Sequence, residues 1–89
     1  MLFVLELLDN LINQLAIQEQ KIQQREQEVA ELNSKISTLQ ISYKIANKEL
    51  DLTKPLAEKN IVSKIELYKL ERRVNDLKGE LSAVRLLSP

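Results

Sequence analysis

A chain of 89 residues with 13 basic and 13 acidic side chains, one glycine, two prolines and neither cysteine nor histidine is confined to one domain or part of one. Balanced charge without a basic stripe argues against nucleic-acid binding, and without cysteine neither a disulfide framework nor a thiolate metal site can form. Apolar residues make up 44% of the chain but aromatics only 3%. Leu, Ile and Val carry the hydrophobic load beside Glu, Lys and Gln, which lose little side-chain freedom in a helix, so the composition points to long helices with few turns.

The chain opens on the apolar run Met1–Ile12, interrupted by Glu6, Asp9 and Asn10 and preceded by no basic residue. It is too short to span a bilayer and lacks the flank of a signal peptide, so it reads as a packing face for another helix. From Met1 to Leu50 the apolar residues follow one heptad register. The a positions run Met1, Leu8, Leu15, Ile22, Val29, Ile36, Tyr43, Leu50; the d positions run Val4, Leu11, Gln18, Arg25, Leu32, Leu39, Ala46, Thr53. Gln18 and Arg25 break the seam inside a Gln-rich stretch, either as register-setting polar residues or as a section without a partner in the chain. Glu31 and Lys35 are spaced to support the exposed side of this helix.

The segment from Thr53 to Glu66 carries four signals of a connection. Pro55 has no amide proton and disfavours helical geometry at Lys54. Asn60 tolerates the left-handed region. Ser63 and Glu66 form a capping box, and Val62 and Leu67 a hydrophobic staple around it. They predict a first helix over about 2–53, a tip over about 54–62 and a second helix over about 63–87.

The second run places Leu67, Val74 and Leu81 at a and Leu70, Leu77 and Val84 at d. A connection this short makes the helices antiparallel neighbours. Leu50 with Leu70, Ala46 with Val74, Tyr43 with Leu77, Leu39 with Leu81 and Ile36 with Val84 then pair symmetrically about Asn60, each an a against a d. The expected fold is all-α, an antiparallel two-helix coiled-coil hairpin with an over-long first helix. Met1–Glu28 has no partner in such a hairpin, and a Leu-rich helix is not stable bare in water. Self-association through Met1–Glu28, or cover by a further segment, is expected.

The stretch LTKPLAEKNIVSKIELYKLERRVNDLKGEL, with QLAIQEQKIQQREQEVAELNSKI before it, resembles the hairpin of membrane fusion proteins of type I secretion systems, the HlyD family. The resemblance implies a periplasmic adaptor whose full-length form is anchored in the inner membrane. It implies partnership with an ABC transporter through regions outside this chain. It also implies packing of neighbouring hairpins into a ring, and docking of the tips onto a TolC-type outer-membrane channel. Related adaptors carry at the tip an Arg, a Leu four residues on and a Ser seven further. Leu56 and Ser63 match; Leu52 stands at the Arg position, and Lys54 is the nearby charge, without the guanidinium fork.

The tip residues singled out for partner binding are Leu56, Ser63, Ile61, Ile65 and Lys54. Ser63 also has a complete structural role as an N-cap, and Leu56 could be internal to the tip. Ile61 and Ile65 lie off the seam, and with Lys54, Glu58, Lys59 and Lys64 around them they suit a small recognition surface. Glu71, Arg72 and Arg73 read as a solvated face, where ion pairs contribute little. No catalytic constellation, cofactor motif or metal-ligand spacing appears, and the chain reads as a non-enzyme. The competing reading is a generic homodimerising coiled-coil scaffold, which explains the heptads but not the exposed isoleucines beside a capped turn.

Overall fold

A computed structural model describes residues 1–88. It contains two helices, α1 (Leu2–Glu58) and α2 (Lys64–Leu87), joined by five residues. The described residues divide into two units, residues 1–31 and residue 32 onward. The first unit is a lone stretch of α1. Every side chain in it is exposed except that of Val29, which is half-buried. Its polar part is held by contacts within the helix: Arg25 reaches Glu28 at 3.9 Å, and the Gln27 amide donates to Glu31 at 3.3 Å. Glu31 is thus supported from Gln27 rather than Lys35.

The second unit is the hairpin. Leu39, Leu81 and Val84 form its buried cluster, with Leu32, Ile36 and Leu77 packed against them. This contact set brings the middle of α1 against the far end of α2, the order an antiparallel pair requires. Every a and d residue of the expected seam from Leu32 to Thr53 and from Leu67 to Val84 is buried or half-buried. Ala46, only 1% exposed, is a small residue in that seam. Gly79 lies off it, and a methyl group there would meet nothing within 4 Å.

One boundary differs from the sequence expectation. α1 does not stop at residue 53 but continues through Pro55 to Glu58, so residues 54–58 are helix rather than tip. Proline's fixed φ suits a helix, and what it forfeits is one amide donor to the carbonyl four residues back, here Asp51. The Pro55 carbonyl still accepts from the Lys59 amide at 3.2 Å. Continuing also buries Ala57, 3% exposed, which stands one heptad beyond Leu50 and so extends the a series.

A candidate docking site at the hairpin tip

The stop of α1 is set at Asn60. Its φ of 59° lies in the left-handed region. The Ile61 amide donates to the Leu56 carbonyl at 2.9 Å, and the Asn60 amide to the Ala57 carbonyl at 3.1 Å. These two bonds are a Schellman motif with asparagine in the place usually held by glycine, and they satisfy carbonyls a helix end would leave open. Three residues later stands Ser63, the N-cap of α2. The Ser63 backbone is extended and its Oγ accepts from the Glu66 amide at 3.2 Å. The Ser63 half of the capping box is therefore formed. Glu66 in the first turn and Arg85 in the last suit the helix dipole. Val62 and Leu67 are both half-buried, as a staple requires.

This double cap fixes the backbone of a tight turn, and apolar side chains on it and on the adjoining helix ends are open to solvent. Leu56 is 37% exposed, Ile61 and Ile65 are each 66% exposed, and Lys54 and Ser63 are exposed as well. Leu56 and Ile61 are brought together as the two residues bridged by the Schellman bond. Ile65 belongs instead to the outer face of α2, where it lines a shallow groove with Tyr68, Lys69 and Arg72. Tyr68, itself exposed, is a member that sequence reasoning passed over. Its signal was available: it lies three residues after Ile65 and off the a/d seam. Leu52, at the position where an arginine was sought, is 72% exposed and presents hydrocarbon rather than charge. Ser63 has its hydroxyl engaged in the cap.

Together these elements make a two-helix antiparallel hairpin whose capped turn is flanked by exposed apolar side chains. The chain belongs to the AprE long α-helical hairpin family, whose model matches residues 7–86. AprE is a type I secretion adaptor, and the family is one of adaptor hairpins rather than enzymes. The match is to this family rather than to the HlyD proteins specifically. No curated protein and no solved structure matches the chain. Among the described residues, no helix is long and apolar enough to cross a membrane.

Proposed function

We propose that this chain is the periplasmic hairpin of a type I secretion adaptor. In that role it links an inner-membrane ABC transporter, held by other parts of the adaptor, to a TolC-type outer-membrane channel docked on its tip. The observation that carries the reading is the exposure of Leu56, in the last turn of α1, and of Ile61, in the connection whose backbone is locked from both sides, in a chain of the AprE hairpin family. A rigid mount lowers the ordering cost of docking a small apolar patch. Lys54, Ser63 and Ile65 complete the contact surface, and Leu52 replaces a charged contact with an apolar one.

The outer face of α1 supports the lateral part of the same reading. Ile41, Ile45 and Leu52 recur at helical spacing off the seam and are all exposed, a second apolar stripe suited to a neighbouring hairpin. The generic scaffold alternative leaves the tip patch without a purpose.

The test is secretion by the complete adaptor. Leu56→Glu and Ile61→Glu, separately and together, are expected to block export and to abolish cross-linking of the tip to the channel, while adaptor level and helix content stay unchanged. Wild-type secretion by the double variant would refute tip docking.

A further inference from the structure

The seam of the hairpin is flanked on its two sides by e and g positions, and in an antiparallel pair e meets e and g meets g. Lys54, one residue after Thr53, and Lys64, three before Leu67, stand at facing e positions beside the turn. Among the described residues they are the one like-charged flanking pair. Glu49 faces Arg73 at g with opposite sign, and in every other flanking pair at least one side is uncharged: Asn47 faces Glu71, Gln40 faces Lys78 and Ser42 faces Glu80.

Neither lysine is compensated within the hairpin. Both are exposed. Asp51 and Glu58 stand at helical spacing from Lys54, yet the one ion pair among the described residues joins Arg25 to Glu28. The positions three and four residues from Lys64 hold Asn60, Ile61, Leu67 and Tyr68, none of them acidic. Lys59 adds a third ammonium group, and Glu58 is the only carboxylate between Lys54 and Lys64. The tip thus carries a net charge of +2 (three lysines against one glutamate) in a chain whose total is zero.

Two cations set face to face oppose the pairing of the helices that carry them. Nothing in the packing of the hairpin offsets this, and the conflict sits beside the exposed Leu56 and Ile61. A local rule broken at one place in an otherwise consistent seam marks a site made for something else. We propose that Lys54 and Lys64 form a clasp for one carboxylate side chain of the protein docked on the tip. The inference rests on the tip-docking reading and names its chemistry: an apolar socket for Leu56 and Ile61, with an aspartate or glutamate at its edge. A carboxylate between the two ammonium groups accepts a charge-assisted hydrogen bond from each and removes their repulsion. The contact is therefore favourable in the docked state and absent from the free one. The excess positive charge also speeds encounter with an acidic surface, an effect that salt weakens.

The experiment uses the complete adaptor in secreting cells. A water-soluble carbodiimide joins an amine to a carboxylate only where the two touch, and mass spectrometry identifies the joined residues. Cross-links are expected from Lys54 or Lys64 to an aspartate or glutamate of the outer-membrane channel. Lys54→Arg with Lys64→Arg keeps the charge but forms no such cross-link, so this variant should lose the product and still export within about twofold of wild type. Lys54→Glu with Lys64→Glu should lower export at least about tenfold. Lys78→Glu, which faces Gln40 far from the tip, should leave export unchanged. Wild-type export by the doubly charge-reversed adaptor overturns the clasp, as does a cross-link from these lysines to a second copy of the adaptor instead of the channel. If either occurs while Leu56→Glu with Ile61→Glu blocks export, the clasp fails and tip docking stands. If the apolar variant also exports normally, both fail.

Discussion

The Ile61 amide and the Leu56 carbonyl are joined by a 2.9 Å hydrogen bond, so the two apolar side chains of the tip hang from one backbone bridge. Its geometry depends on Asn60 in the left-handed region. A residue with a β-carbon and no local hydrogen-bonding side chain costs about 1–2 kcal/mol there, while glycine meets no steric penalty. Asn60→Val should therefore destabilise the hairpin by at least about 1 kcal/mol, and Asn60→Gly should leave it within a few tenths of wild type. Urea unfolding followed by circular dichroism, at one fixed protein concentration, measures both.

Ser63 is the other half of the lock. Its Oγ is the acceptor for the Glu66 amide, and losing a cap of this kind costs about 1 kcal/mol. Ser63→Ala should show that loss in the same unfolding experiment, and Ser63→Asp should restore most of it because aspartate also caps. The pair separates the cap from docking: an adaptor with Ser63→Asp that is stable but fails to secrete assigns the hydroxyl a contact with the channel, and normal secretion confines Ser63 to its structural role.

The seam was legible in the sequence because it is periodic. Leu39 against Leu81 and Ile36 near Val84 follow from heptads alone, and the contact cluster contains all four. The second helix was legible because Ser63 and Glu66 are a local chemical signature. The end of the first helix was not, since Pro55 and Asn60 compete to stop it. Proline forfeits a single bond near a terminus, while Asn60 supplies a conformation that closes two carbonyls, and the later signal prevails. Ala57 follows the same competition: it joins the a series only because α1 runs past Pro55 to Glu58. Tyr68 escaped because an exposed aromatic leaves no mark on the seam pattern.

The core cluster makes a sharp contrast available on one helix. Leu81 is buried beside Leu39 and Val84, whereas Leu86, five residues on, is 87% exposed. Leu81→Ala should cost about 2–3 kcal/mol, near the lower end for buried leucines because a two-helix seam is thin. Leu86→Ala should fall within about 0.5 kcal/mol of wild type. Equal losses at both sites would mean that an assembly contact covers Leu86 in solution.

Pro55 gives the most direct check on how α1 ends. Within the helix it leaves the Asp51 carbonyl without its usual donor and crowds it with the ring. If the Schellman turn at Asn60, rather than the proline, terminates α1, then Pro55→Ala returns the missing amide without moving the stop. The hairpin should gain about 1–3 kcal/mol, below or at the cost of an interior proline because the site lies in the last turns. The Ile61 amide should remain protected from hydrogen exchange through its bond to Leu56, and the amide introduced at position 55 should be protected as well. If instead proline sets the boundary, the variant lengthens α1 past Asn60, the Ile61 bond is lost, and the hairpin is weakened rather than strengthened.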